Sequence, residues 1–388
     1  VWVEELWMQG VRRHVDLHLN FHERVTAIVG PNAQGKTTVL EALAWLTTGG
    51  SIRPVPDRSL IQTGANEAII RARFDDAGRE VLIEGRIAAG RSRVEVNRQV
   101  VTRRSELMSL VRLTPFTPDD LQLIKAGPSG RREFIDHLTA SIAPGVAAAQ
   151  RESDRILRHR NALLKSMSRG EASADDLNTL SVWNEQFAAA SARVVGARLR
   201  LTEMLTRSAE DLYAAIADQP AALGARYESE WLDRSGADPI DQQLLTALRE
   251  SERDEVRRGV TLVGPHRDDW LLTINRLDAR TCGSQGEQRS LALALRLAGH
   301  RVVTELTGTT PIVLLDDVFS ELDDTRRDAL VRNLPEGQVI ITSAAPLPSD
   351  LPVDRTIHLD QTLRTVSEEV FVPVSDDGET PPATEPSA

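Results

Sequence analysis

The run Gly30-Pro31-Asn32-Ala33-Gln34-Gly35-Lys36-Thr37 carries the spacing G-x-x-x-x-G-K-[ST] of a phosphate-binding loop. Glycines at both ends let the main chain wrap closely around phosphate oxygens. Lys36 would bring a charge to the β- and γ-phosphates, and Thr37 a hydroxyl to Mg²⁺. Residues 30–38, Thr38 included, are therefore read as nucleotide-binding. A second acidic feature, "PIVLLDD", places Asp316 and Asp317 at the end of an apolar strand. With a phosphate-binding loop in the same chain, Asp316 is expected to hold Mg²⁺ beside Thr37, and Asp317 to orient water as a base. Asp317 is one methylene shorter than Glu, so water activation there should be poor.

A third stretch, "SQGEQRS", runs from Ser284 to Ser290 and leads into the apolar helical pattern "LALALRLA". A helix end of this kind offers free N–H groups to an anion, with Ser284, Gly286 and Gln288 at its mouth. One chain thus carries two helix ends suited to phosphate, far apart in sequence.

The elements that must position these groups can be read from periodicity. "RVTAIVG" is a short strand ahead of the loop, and "KTTVLEALAWL" a helix behind it, apolar at Val39, Leu40, Leu43 and Leu46. "EAIIRARF", "REVLIEGRIA" and "RSRVEVNRQVV" alternate as strands. Thr117, Pro118 and Asp120 make a helix start. From about 145 to about 218 the pattern becomes heptad-like. Val146, Ala149, Ser153, Ile156, Arg160, Leu163 and Met167 form one seam. Leu180, Trp183, Phe187, Ala190, Val194, Ala197, Leu201 and Met204 form another. The polar break "SRGEASADD" between them predicts a helical hairpin, a compact arm. Arg151, Arg155, Arg158, Arg160, Lys165 and Arg169 crowd this arm. They read either as a solvated helix face or as contacts to nucleic-acid phosphates; Arg155, Arg158 and Arg160 are the named DNA-binding candidates. "GPHRDD" contains the triplet of a kinase catalytic loop, but Thr273 stands where the Asn belongs, and it reads as a polar turn opening the strand "WLLTIN".

The order of phosphate loop, helical insertion, SxGxQ-type signature, DD-ending strand and "SELD" is that of ABC-type ATPase heads. "GPNAQGKTTVLEAL", "FTPDDLQLIKAGPSGRREFID", "RGVTLVGPHRDD", "SQGEQRSLALALRLA" and "PIVLLDDVFSELDDTRRDAL" occur together and in order. In these blocks the chain resembles the RecF family of bacterial DNA repair proteins. The resemblance implies an α/β, ABC-type P-loop ATPase head with an inserted helical arm domain. It implies ATP and Mg²⁺ as cofactors, weak DNA-dependent ATPase activity, and an ATP-dependent homodimer. In such dimers Ser284 and its helix would close over the γ-phosphate held by the other subunit. Double-stranded DNA, or duplex beside single-stranded DNA, would be the substrate in gap repair and replication restart. RecO and RecR would be the partners in loading the RecA recombinase. Two departures stand out. The family's aromatic-Arg-Asn-Tyr block reads Val11-Arg12-Arg13-His14, which keeps Arg12 as the nucleotide-side arginine. "ITSAAP" lacks the switch histidine, with Ser343 near its place.

The expected divisions are 1–115 and 255–371 for the two parts of the head, 116–254 for the helical lobe, and 372–388 for a disordered, Pro-rich acidic tail. The 388 residues carry a net charge of −11 and one cysteine, Cys282. That charge argues against a generic basic nucleic-acid binder, although faces matter more than sums. A single cysteine builds neither an intrachain disulfide nor a zinc site alone. No apolar run reaches the roughly 18 residues of a membrane span, and no signal peptide is read, so a cytoplasmic setting without a membrane is expected. A transporter ATPase would need only a short segment between loop and signature, and an SMC-like structural ATPase a far longer coiled coil. A scaffold that binds ATP without turning it over is separated from these by single-turnover hydrolysis.

Overall fold

The computed structural model describes residues 1–50, 55–88, 90–170, 173–217, 221–236, 238–359 and 367–370. Strands β1 (Trp2–Val11) and β2 (His14–Asn20) precede β3 (Val25–Val29) and helix α1 (Lys36–Thr48). Then come β4 (Glu67–Asp76), β5 (Arg79–Ala88), β6 (Arg91–Val96), β7 (Gln99–Val101), α2 (Arg104–Leu110) and β8 (Leu113–Phe116). Helices α3 (Gln122–Lys125), α4 (Pro128–Ile142), α5 (Pro144–Met167) and α6 (Ala174–Ile216) follow. The chain returns through β9 (Leu223–Glu228), α7 (Ile240–Arg258), β10 (Asp269–Ile274), β11 (Leu277–Asp278) and α8 (Gln285–Thr307). It ends on β12 (Ile312–Asp316), α9 (Asp324–Arg332), β13 (Val339–Ser343), β14 (Arg355–His358) and β15 (Ser367–Val370). The tail expected to be disordered lies outside the described residues.

The central sheet has the order β15-β14-β3-β13-β12-β8 and is parallel except for β15. Its inner strands β3, β12 and β13 are near-continuous apolar runs because both faces are covered. Along β12, Ile312 and Leu314 enter one core with α1 and the antiparallel sheet β2-β1-β4-β5-β6-β7. Val313 and Leu315 enter the other, with α4, α6 and α8. Register within this sheet decides the chemistry. Asp316 of β12 stands opposite Thr342 of β13, and Thr342 opposite Ile28 of β3. The acidic strand end and the phosphate loop therefore emerge at the same sheet edge, the carboxyl ends of parallel strands where α/β folds place ligands.

The expected hairpin is present as α5 and α6, but it does not stand alone. α6 is 43 residues long, about 65 Å at 1.5 Å per residue. Its second half, from Leu201 to Ile216, belongs to the main core against α8. Its first half pairs with α5, and α7 packs on both: Ile156, Phe187, Leu244 and Leu248 form one small core. Ser173 caps α6 through Asp176 N, which is how the polar break starts the second helix. The boundary expected between residues 254 and 255 falls inside α7, which runs unbroken to Arg258 and stops at Gly259 in the left-handed conformation.

One candidate contact is overturned here. Arg160 is not on the solvent face of α5 but fully buried. Its guanidinium donates to Glu255 Oε2 at 2.5 Å, Asn184 Oδ1 at 2.8 Å and Thr261 Oγ1 at 2.7 Å. Being in the seam itself, Arg160 faces the bundle interior, and a buried guanidinium there requires a carboxylate from the third helix.

Candidate nucleotide site

The phosphate loop is shaped by its main chain. Gly30, Ala33 and Gly35 all have positive φ, 153°, 63° and 86°. At Gly35 a side chain is excluded twice over: by that φ, and because a Cβ would collide with the His14 ring. Lys36 opens α1 and folds back over the loop. Its Nζ donates to Gly30 O at 2.7 Å and Pro31 O at 2.8 Å. Burial lowers its pKa, while the charges of Asp317 and Asp316 act in the opposite direction.

Thr37 and Asp316 meet as the spacing predicted: Thr37 Oγ1 donates to Asp316 Oδ1 at 2.7 Å. A hydroxyl and a carboxylate converging beside a lysine make an all-oxygen donor set, which fits a hard cation such as Mg²⁺. Asp317 follows in the left-handed region, φ 51°. Its main-chain N–H donates to Thr342 O at 3.0 Å and Thr342 Oγ1 at 3.1 Å.

Arg12 lies in the turn between β1 and β2, also at positive φ. Its guanidinium grips Glu41 of α1, Nη1 to Oε2 at 2.6 Å and Nη2 to Oε1 at 3.2 Å. Two residues on, His14 Nε2 lies 3.2 Å from Gly35 O, and burial holds its pKa below the ordinary histidine value. The Val11–His14 block, which departs from its family pattern, thus braces the loop from the side. Asn32 and Pro31 are exposed, Gln34 and Thr38 buried.

The signature residues form a second cluster. Ser284 caps α8, its side chain accepting from Glu287 N while Glu287 reaches back to Ser284 N at 2.8 Å. Gly286 packs against the Arg326 guanidinium, where a Cβ would press at 2.8 Å, and Arg326 Nε donates to Ser290 Oγ at 2.9 Å. Gln288 donates to Ala279 O at 2.9 Å and Arg280 O at 3.0 Å. Ser284 itself is exposed, so this helix end presents its mouth to solvent.

Two family blocks prove to be one mechanical unit. Arg131 makes a two-pronged pair with Asp269, 2.8 and 2.7 Å. Arg132 donates to Asp268 O at 2.6 Å, and Arg198 of α6 holds both Asp136 and Pro265 O at 2.7 Å. Tyr227 and Trp231 close on the Asp268 carboxylate. "RREFID" and "GPHRDD" therefore bolt α4, α6 and the β9–β10 strands together.

On α5 the exposed basic residues fall in a line. Arg151, Arg155, Arg158 and Lys165 are exposed at helical spacing, opposite the buried Ser153, Ile156 and Met167, and Arg169 is exposed in the turn after the helix. Arg155 is paired with Glu152 of the same helix at 2.6 Å.

Sequence reasoning did not single out Thr342 or Glu41, and named His14 only within the block that departs from its family pattern. Thr342 was readable in part, as the hydroxyl residue at the end of "QVIITS", but its partner depends on strand register. No spacing announces Glu41 or His14.

A parallel sheet with a phosphate loop and acidic strand end on one edge, and a capped signature helix elsewhere, defines an ABC-type P-loop ATPase head. The family model described as "RecF/RecN/SMC N terminal domain" matches residues 2–348. The chain is 37% identical over 355 residues to the DNA replication and repair protein RecF of Streptomyces avermitilis, covering 90% of this chain and 95% of that one. It is 38% identical over 356 residues to RecF of Frankia alni, covering 89% and 93%. A solved recombination mediator protein RecF with ATP, of the RecFOR pathway, superposes with a TM-score of 0.86 at 29% identity over 95% of this chain and 98% of that one. An SMC head bound to the C-terminal winged helix domain of ScpA shares the fold, with a TM-score of 0.57 at 18% identity over 96% of this chain and 98% of that one. The chain belongs to the RecF family of DNA replication and repair proteins, within the RecF/SMC class of ATPases. No helix among the described residues is long and apolar enough to cross a membrane.

Proposed function

We propose that this chain binds ATP with Mg²⁺ at Gly30–Thr38, and that ATP joins two copies head to tail on DNA. Lys36 would exchange its two loop carbonyls for phosphate oxygens. Thr37 and Asp316 would hold the Mg²⁺, whose charge offsets that of the phosphates. Arg12, tethered to Glu41 beside the loop, would border the nucleotide. Ser284, Gly286 and Gln288 would present the α8 N-terminus to the γ-phosphate held by the partner copy. Asp317 would orient water weakly, giving slow hydrolysis that reopens the dimer.

The observation that carries this reading is the separation of the two clusters. Thr37, Lys36 and Asp316 interlock at the carboxyl ends of the sheet strands, whereas the exposed Ser284 end of α8 finds its partners in its own first turn, the preceding loop and Arg326 of α9. A γ-phosphate needs donors on both sides, and a second copy supplies the missing half. In the cell the protein would act in recombinational gap repair and replication restart on duplex or single/double-strand junction DNA, with RecO and RecR, to help load RecA. The basic line of α5 and of the turn after it supports a phosphate-facing role for Arg155 and Arg158, with Arg151, Lys165 and, in that turn, Arg169 in place of Arg160.

Size-exclusion chromatography with light scattering tests the reading. The expected result is a monomer alone and a dimer with ATP and duplex DNA. A mass that does not respond to ATP overturns the composite site.

A further inference from the structure

Asp316 and Asp317 are adjacent in sequence but are asked to do different things, one toward a cation and one toward water. Both are touched by the same hydroxyl. Thr342 is buried on β13, directly opposite Asp316 in the parallel register. Its Oγ1 lies 2.8 Å from Asp316 Oδ1 and 3.5 Å from Leu315 O. A hydroxyl has one proton, and the shorter contact to a carboxylate outweighs the longer one to a neutral carbonyl. Its lone pairs face the main-chain N–H of Asp317 at 3.1 Å, an N–H shared with Thr342 O at 3.0 Å. The hydroxyl therefore donates to one aspartate and accepts from the other. It ties together a residue at the end of a strand and one held in the left-handed region, which Asp adopts more readily than most non-glycine residues.

We infer that Thr342 is a positioning residue that sets both aspartates of the nucleotide site: its hydroxyl fixes the carboxylate rotamer of Asp316 and anchors the main chain of Asp317. The inference rests on the ATP-site reading above and adds a residue to it. Asp316 Oδ1 also accepts from Thr37 at 2.7 Å. Thr37 is the hydroxyl that would turn its oxygen toward Mg²⁺, so its hold on Asp316 is conditional on what is bound. Thr342 donates to that same Oδ1 from the neighbouring strand, is built into the sheet, and would keep the carboxylate aimed in either state. Ser343, next along the chain, donates to Ala345 O at 2.7 Å and turns away from this pair. In a chain lacking the switch histidine, the side chain at this strand end that touches the acidic pair is thus Thr342, with the main-chain N–H of Ala344 donating to Asp317 Oδ1 at 3.4 Å.

The test uses the full chain and two substitutions. Thr342→Val keeps the shape and the β-branch of the central strand but removes the hydroxyl; Thr342→Ser restores it. A fluorescent ATP analogue is titrated with EDTA and with Mg²⁺, and hydrolysis is followed separately. For Thr342→Val, affinity in EDTA should match that of the unmodified chain. The gain in affinity on adding Mg²⁺ should shrink about tenfold, the scale of one hydrogen bond to a charged group. The Mg²⁺ concentration for half-maximal hydrolysis should rise, and Thr342→Ser should recover both. Thermal unfolding separates this from a general loss of folding, which would weaken binding equally in EDTA and in Mg²⁺ and would overturn a positioning role. A Thr342→Val chain with an unchanged Mg²⁺ gain overturns this inference alone. An unmodified chain that binds no nucleotide overturns the ATP-site reading and this inference with it.

Discussion

The edge of the central sheet and the interior of the α5–α6–α7 lobe each bury a basic side chain, and they satisfy it in opposite ways. Arg160 is closed on every side by Glu255, Asn184 and Thr261, and Glu255 in turn accepts from Leu262 N at 2.7 Å. Lys36 donates to two neutral carbonyls of its own loop, with carboxylates acting from a distance and burial weakening its hold on its proton. A cation matched by a buried carboxylate has nothing to gain from a ligand. One held by neutral acceptors near a surface cleft gains when phosphate oxygens replace them. The same chemistry of a buried cation is structural in the lobe and, on the reading proposed for Lys36, would be exchangeable in the head.

The largest effect should come from breaking the sealed site. Arg160→Ala leaves Glu255 buried without its cation and should cost about 3–5 kcal/mol of unfolding free energy. Arg158→Ala, two residues away on the exposed face, should stay within about 0.5 kcal/mol. Urea unfolding of the two variants checks the contrast directly. Equal losses would mean that Arg160 is not the anchor of the three helices.

Next comes the exchangeable site. Lys36→Met should weaken ATP binding by at least about 100-fold, close to 3 kcal/mol, the upper range for a hydrogen bond to a charged group. Because the carbonyls it leaves are at the loop surface, folding stability should hardly change. Calorimetry with ATP and thermal unfolding give the two numbers, and a stability loss matching the Arg160→Ala loss would erase the distinction drawn here.

A smaller and conditional effect is expected at the second helix end. Ser284→Arg places a bulky cation at the α8 mouth while leaving the phosphate loop untouched. Each monomer should bind ATP as before, and ATP-driven dimerisation should weaken by at least about tenfold, near 1.4 kcal/mol. Undiminished dimerisation in sedimentation would mean that the α8 end does not act on a partner copy.

These contrasts also explain what could be read before the structure. The phosphate loop, the acidic strand and the capped α8 are legible because their chemistry needs residues at fixed local spacing. Thr117 and Asp120 form their capping box for the same reason. The α5 and α6 seams were legible by period, and Ala149, Ile156, Leu180, Phe187 and Val194 are indeed buried. What period cannot give is the third partner. α7 lies over 70 residues along the chain from α5, so nothing local marks Glu255 as the mate of Arg160. A run of arginines in one stretch consequently looked like a single basic surface, although the helix turns one of them inward. Thr342 and the Arg12–Glu41 pair escaped for a related reason: strand register brings Thr342 to Asp316 and the β1–β2 turn brings Arg12 to Glu41 of α1, and neither is a local property.

The smallest expected effect concerns the exposed line on α5. Arg155 is paired with Glu152, and both are exposed to solvent that screens them, so the pair adds little to stability. Its replacement should be nearly silent in unfolding experiments, unlike that of Arg160. If the line faces phosphates, its role appears only with DNA present. Replacing Arg151, Arg155 and Arg158 together by Ala should leave ATP binding and unfolding nearly unchanged. Duplex affinity should fall, and the slope of log K against log salt should flatten by about one unit for each phosphate contact removed. Glu152 complicates the reading in a useful direction: freed by Arg155→Ala, its carboxylate would repel phosphates and exaggerate the affinity loss. Adding Glu152→Gln removes that contribution while leaving the number of lost contacts the same. The salt slope should then be the same in both backgrounds even though the affinities differ. A slope that matches the unmodified chain in both backgrounds would return these arginines to an ordinary solvated helix face, and the DNA contacts would have to be sought on the head.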